Sequence, residues 1–403
     1  MKKNIENVKF HKRGEDFGDF TRTGVSLHCH TLHSKELLDF VPYYASRIPI
    51  ASYVWNRHMR RSEKLYGSTP DFSNGHWTPP LTGNEVFNSE KEHLASLGLD
   101  AIVSITDHDS ISANLEIRSD IDSGRSPISM EWTVPFEEGF FHVGVHNLPV
   151  EKAEAITAEL LDYTHQKGRP DNTRLHELFE LLNQFPEVLI VLNHPIWDIE
   201  MIGQESHERI LKRFVAEHAK WIHAIEINGF RSWTENVAAA ELATTFGLPP
   251  VSGGDRHCLQ NNTMINVTNA TDFAEFVGEI RHEGHSQIAV MPEYNDPLPC
   301  RQLRSISQIL GTYSHFPVGR KAWSERVYLD YNDGGGLKTL NEHWNGQEPK
   351  WTYFAFLALT LLSHRMAQPL ITLAVGDTDI GRNEEKPKDA NFTMRDSPLS
   401  AQR

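Results

Sequence analysis

The sequence predicts an α/β protein built on a largely parallel sheet, closed or slightly distorted into a barrel. Three observations carry that expectation. Short apolar runs alternate with amphipathic segments from about residue 25 to residue 290, the rhythm of strand–helix–strand units. One run, Val188-Leu189-Ile190-Val191-Leu192, is apolar throughout, as expected of a parallel strand covered on both faces. His, Asp and Glu fall just past several of these runs, at the strand C-termini where barrel sites form.

The first run, Val25 to Leu27, ends in His28-Cys29-His30. Side chains at i and i+2 share a strand face, so both imidazoles can reach one point while Cys29 turns away into the core. Imidazole is the commonest metal ligand that is neutral near pH 7. Residues 37–85 read as an insertion over one mouth of the domain, with Arg57, Arg60, Arg61 and Lys64 and one helix near residues 52–65. A helix over 85–97, stopped by Gly98, leads to a strand over 101–105 and then to Thr106-Asp107-His108-Asp109. Asp109 is placed to cap the next helix.

Next come a strand over 127–132, carrying Glu131, and its hairpin partner over 140–146, carrying His142 and His146. Ile156, Leu160 and Tyr163, and then Leu175, Leu178, Phe179 and Leu182, have helical spacing. The apolar strand at 188–192 runs into Asn193-His194-Pro195. A helix through Ile210, Leu211 and Phe214, a strand over 224–227 and a helix over 236–246 lead to a strand over 250–252. That strand ends in Gly253-Gly254-Asp255-Arg256-His257. A helix with Phe273, Val277 and Ile280 and a strand over 287–290 complete the alternation. Residues 297–375 are predicted to form a helical extension, and the polar stretch 376–403 a disordered tail.

Composition narrows the function. Of 403 residues, 39% are hydrophobic and 23% charged, ordinary for a soluble globular protein. A formal net charge of -15 argues against long nucleic acid as a partner but leaves room for a small phosphorylated substrate held by cations. Three cysteines without a CxxC spacing make no disulfide framework, which suits a reducing compartment. The start lacks the apolar core of a secretory signal, and the longest apolar run, 351–362, is too short to span a bilayer. The expectation is a cytoplasmic protein with no membrane partner; a homo-oligomer is left open.

The segments LHCHT, ITDHD, the glutamate of SMEWT, LNHP and GGDRH, in that order, resemble the polymerase-and-histidinol-phosphatase (PHP) family of metal-dependent phosphoesterases. The resemblance covers roughly residues 20–292. It implies a distorted (β/α)7 TIM-like barrel over 20–296 with two or three divalent ions at its C-terminal mouth. It implies that His28, His30, Glu131 and Asp255 hold a first ion. Glu131 then bridges to a second, completed by His194 and by His142, with His146 on the same strand face as the alternative. His108 and His257 hold a third.

Many family members carry Ser-Asp-Gly after the first motif, whereas this chain has Ser34-Lys35-Glu36. Either Glu36 supplies a ligand, or Lys35 replaces the third ion's charge and grips a phosphate oxygen, or both simply begin a solvated helix. Mixed nitrogen and oxygen ligation suits Zn, Mn or Fe better than Mg or Ca. Asp255, Glu131 and His194 are the catalytic candidates, acting with a hydroxide held between ions on a small phosphomonoester or phosphodiester. Arg231 and Arg256 are placed to grip phosphate, and Asp107 to orient a ligand histidine. The alternatives are an amidohydrolase-type hydrolase of C–N or C–O bonds, whose barrels also open on HxH, and a non-catalytic scaffold. ITDHD, GGDRH and the lack of an evident bridging lysine favour the phosphoesterase.

Overall fold

The structure is a computed structural model that describes residues 7–15, 17, 21–38, 42, 49–67, 69–119, 126–331, 334–369 and 371. The first half carries β1 (Val8–Phe10), β2 (Thr23–Ser26), β3 (Glu36–Leu37), α1 (Pro49–Tyr66), β4 (Asp71–Trp77), α2 (Gly83–Ser96), β5 (Asp100–Val103) and α3 (Ser112–Arg118). The hairpin β6 (Met130–Phe136) and β7 (Gly139–His146) comes after them, then α4 (Ala153–Thr164), α5 (Asn172–Asn183), β8 (Leu189–Leu192) and α6 (Gln204–His218). Next are β9 (Ala224–Asn228), α7 (Trp233–Phe246), β10 (Pro250–Gly253), β11 (Met264–Thr268), α8 (Phe273–Arg281) and β12 (Ile288–Val290). The last part holds α9 (Leu298–Ile309), β13 (Val327–Asp330), β14 (Leu337–Thr339), α10 (Leu340–His343) and α11 (Lys350–Ser363).

Two five-stranded mixed sheets form the body, in the orders β1-β12-β11-β2-β5 and β10-β9-β8-β7-β6. This differs from the expected single parallel barrel. Among the described residues the ladders do not close into a ring. The two sheets meet through isolated bridges, His108 to Glu131 and Cys29 to Arg256. The turn at 137–138 is tight, so β6 and β7 must pair antiparallel, and β7 then pairs antiparallel with β8. The seam has a backbone cause as well. His28 and Asp255 lie in the left-handed region, at φ 66° and 51°, so the chain leaves the extended conformation where the ladder would continue.

The helices cover the sheets with the residues their spacing predicted. Leu175, Leu178, Phe179 and Leu182 of α5 and Ile210, Leu211 and Phe214 of α6 join Trp132 and Phe136 in the largest core cluster. A capping box, Thr82 with Glu85, starts α2. At α3 the expectation fails: Ile111 is the N-cap and makes no side-chain bond. Asp109 instead accepts the Thr133 N–H at 2.8 Å, tying the turn after β5 to β6.

The insertion and the extension meet. A four-stranded sheet, β14-β13-β4-β3, pairs the extension's hairpin with the insertion's strands, so residues beyond 297 are not solely helical. The predicted helix near 52–65 is α1, and the predicted tail at 376–403 lies outside the described residues. Among the described residues no helix is long and apolar enough to cross a membrane.

Candidate metal centre

The C-terminal ends of β2, β5, β8 and β10, with β6, β7 and β3, deliver nine side chains to one buried place. Glu131 is its middle: it is wholly buried, and imidazole nitrogens face both its oxygens. Its Oε2 lies 3.0 Å from His28 Nε2, 3.3 Å from His30 Nε2 and 3.2 Å from His108 Nδ1. Its Oε1 lies 3.1 Å from His194 Nε2 and 3.4 Å from His142 Nδ1. Asp255 Oδ1 closes the first side, 3.7 Å from His28 Nε2 and 3.6 Å from His30 Nε2. Glu36 gathers a third group, its Oε2 3.3 Å from His108 Nε2 and 3.2 Å from His257 Nε2.

Where the sequence left two residues open, the geometry brings one inward. Residues 34, 35 and 36 alternate buried, exposed, buried, so Glu36 faces the imidazoles and Lys35 faces solvent. His142 lies beside Glu131 and His194. His146 instead pairs with Ser104 Oγ at 2.8 Å.

Two other expectations need correction. Arg256 does not reach the mouth: its guanidinium is buried behind the centre, 2.5 Å from Glu90 and bonded to the Cys258 carbonyl. Its neighbours Asp255 and His257 point forward, so the residue between them must point back. Asp107 turns both its oxygens to Thr31, accepting from the Thr31 N–H and hydroxyl, and so holds the turn after His30 rather than a histidine ring. Arg231 does lie at the centre, 3.4 Å from Asp255 Oδ2 and stacked 3.4 Å over the Trp197 ring.

The donor set fits divalent ions. Three groupings offer ligand atoms within 4.8 Å of one another: His28, His30 and Glu131; His108, Glu131 and His142; and His30, Glu36, His108 and His257. His28 donates its Nδ1–H to Glu226 at 2.6 Å, and His257 donates its own to the Asp255 carbonyl at 2.8 Å. Each is thereby fixed in the tautomer that turns a bare Nε2 lone pair inward. His28 Nε2, His30 Nε2, His108 Nδ1, Glu36 Oε1 and Glu131 Oε2 are buried without a hydrogen-bond partner. Lone pairs facing carboxylate oxygens at about 3 Å require a proton or a cation between them.

The charges point the same way. Burial would raise the Glu131 carboxyl, but the imidazoles of His28, His142 and His108 hold it well below the usual range. Burial likewise opposes ionisation of Asp255, and the neighbouring imidazoles of His30, His28, His257 and His194 overcome it. Backbone conformation is part of the arrangement, because His28, His194 and Asp255 all have positive φ. Such residues cost about 1–3 kcal/mol each and persist where surrounding structure over-determines them.

No family model matches the chain. No curated protein matches it. Among solved structures, PsfC from Pseudomonas syringae is similar at TM-score 0.40 and 14% identity, covering 68% of this chain and 94% of that one. A protein from Bifidobacterium adolescentis described as a "putative metal-dependent phosphoesterase" is similar at TM-score 0.34 and 12% identity, over 64% and 95% of the two chains. An amidohydrolase from Chromobacterium violaceum, with bound sulfate and no metal, is similar at TM-score 0.28 and 17% identity, over 44% and 83%. These are distant likenesses, and any functional reading rests on the geometry of the site itself.

Residues that the motifs did not flag complete the centre. Glu226 of β9 accepts the His28 Nδ1–H at Oε1 and the His194 N–H at Oε2, 2.7 Å away. Asn193 donates to Glu131 at 2.9 Å, and Ser34 contacts His30 Nδ1 at 3.0 Å. Glu226 had a readable signal, a lone carboxylate inside the apolar run Ala224–Ile227, which is the same oddity that marks Glu131. Gly253 has a reason too: a Cβ there would land on the Glu226 carboxylate.

Proposed function

We propose that this protein is a metal-dependent phosphoesterase that hydrolyses a small phosphomonoester or phosphodiester. One observation carries the reading: a single buried carboxylate, Glu131, offers one oxygen to His28, His30 and His108 and the other to His142 and His194. That is the arrangement of a carboxylate shared by two cations. In this reading His28, His30, Glu131 and Asp255 hold one ion and Glu131, His142 and His194 a second. Glu36, His108 and His257 hold a third. The ions are Zn, Mn or Fe class, and residues 20–296 form one distorted PHP-type barrel whose seams are the two isolated bridges.

Bound divalent ions would supply Lewis acidity and a water acidified to near-neutral pKa. The chain's own groups do the rest. Glu226 keeps His28 and the His194 backbone in place. Asp255 Oδ1 accepts a hydrogen from the attacking water. Arg231, its guanidinium flattened on Trp197 beside Asp255, holds an anionic phosphoryl group at the mouth. No lysine is among the nine side chains of the centre, which sets it apart from amide hydrolases that use a bridging lysine.

Protein stripped with a chelator and reloaded with Mn, Zn or Fe should cleave phosphate esters, be inactive without metal, and leave amides intact. Arg231→Ala should raise KM for those esters by roughly tenfold or more, the loss of one charged hydrogen bond of about 1.5–3 kcal/mol. Cleavage of amides alone, full activity in chelator, or less than one ion per chain after reloading would each overturn the reading.

A further inference from the structure

We propose that His176, Glu217 and His218 form a separate transition-metal site that pins α5 to α6. The three offer ligand atoms within 4.8 Å of one another. His218, the last residue of α6, is fully buried and donates its Nδ1–H to the Phe214 carbonyl at 2.7 Å. That bond fixes the tautomer and leaves Nε2 as a bare lone pair, buried with no hydrogen-bond partner. His176 Nε2, on α5, is buried without a hydrogen-bond partner as well, and the two rings stand 5.0 Å apart. An imidazole that served only as an aromatic filler would need no such pair of unsatisfied nitrogens.

This cluster is remote from Glu131 in the topology. α5 and α6 lead into the N-terminal ends of β8 and β9, whereas His194 lies past the C-terminal end of β8. Two imidazoles and one carboxylate suit zinc or a similar borderline cation, with water completing four-coordination. Ligands on a tetrahedral ion with bonds of about 2.0–2.1 Å stand roughly 3.4 Å apart, so a set lying within 4.8 Å has at most about 1.4 Å to close. Glu217, only partly buried, can make that adjustment once it gives up Arg213, now 3.5 Å away, and Asn172, at 3.4 Å. Lys220, stacked on Trp221 at 3.8 Å and acting on His218, is a second cation, with Arg213, that opposes loading. Because α5 and α6 supply different ligands, occupancy holds the two helices together and stabilises the fold by mass action.

Native mass spectrometry of chelator-treated protein titrated with Zn counts ions per chain. His176→Ala, at a half-buried position, should lower the count by one and cut the zinc-induced rise in Tm, and Glu217→Gln should weaken the same step by about tenfold or more. A Glu131→Gln background should still take up this ion, which separates the outcome from the fate of the phosphoesterase reading. An unchanged ion count in both His176→Ala and Glu217→Gln would overturn the proposal. So would loss of all zinc uptake in the Glu131→Gln background.

Discussion

Histidines stand at both ends of the strands, and the two ends treat them differently. At the C-terminal ends, His28 after β2 and His194 after β8 stand against Glu131 and Glu226. Burial pushes the His28 imidazole down, yet the two carboxylates outweigh burial and hold it well above its ordinary value. At the N-terminal end of β9, His223 has no carboxylate partner among the described residues. Its Nδ1 accepts the Ile190 N–H at 3.0 Å, and its Nε2–H donates to Asn183 at 3.0 Å. Burial, aided by Arg281 and His282, pushes it down to about 3. The residue type is shared, and the neighbouring charges decide whether an imidazole awaits a cation or serves as a neutral strut.

The contrast breaks most sharply at Glu131. Glu131→Gln removes the negative charge common to the first and second proposed ion positions, so ion uptake at both should fall, with activity reduced by roughly 10³-fold or more. His194→Ala touches one side only: the protein should fold, lose one ion and lose activity. Metal counting beside phosphoesterase assays checks both. Full activity in either variant would mean that the buried carboxylate–imidazole cluster is structural.

Much of this contrast is readable in the sequence, for physical reasons. His28, His30, His108, His194, Asp255 and His257 sit in short strand-end motifs, where one local fact, the end of an apolar run, aims a side chain at the mouth. Glu131 announces itself as a charge in an apolar strand. The features that stay hidden depend on contacts between distant segments. Arg256 pairs with Glu90, and His146 with Ser104, across separations no local pattern encodes. The same limit explains the sheet: alternation of strand and helix signals is alike for a closed barrel and for two sheets joined at single bridges. The hairpin at β6–β7 is visible in the sequence, but its effect on closure is not.

Glu90→Gln probes the layer directly behind the centre. Glu90 holds Arg256 at 2.5 Å and also accepts from Ser26 and from the Asn262 N–H, all in buried surroundings. Leaving Arg256 buried and unpaired should cost about 3–5 kcal/mol. Because Arg256 lies between Asp255 and His257, the variant should also bind metal more weakly. Replacing both partners, as Glu90→Leu with Arg256→Met, should recover much of the stability, since an apolar pair leaves no stranded charge. Thermal unfolding of the three proteins decides it. A double variant no better than Glu90→Gln would show that Ser26 and Asn262, rather than the ion pair, are what Glu90 secures.

The smallest effect tests the other end. An unfolded His223 titrates near 6.5, and the folded one near 3. Between those values the unfolded chain binds a proton that the folded chain refuses. Stability is therefore complete above about pH 6.5 and falls as pH drops below it, by about 1.4 kcal/mol per unit for this one group. His223→Gln should cost about 1 kcal/mol at pH 8, where a good hydrogen-bonded strut is lost. It should also flatten the acid limb by about one proton, so that the two stability curves converge and cross on acidification. Parallel curves from pH 8 to pH 4 would mean that His223 takes up its proton without leaving the strand, and the neutral-strut half of the comparison would fail.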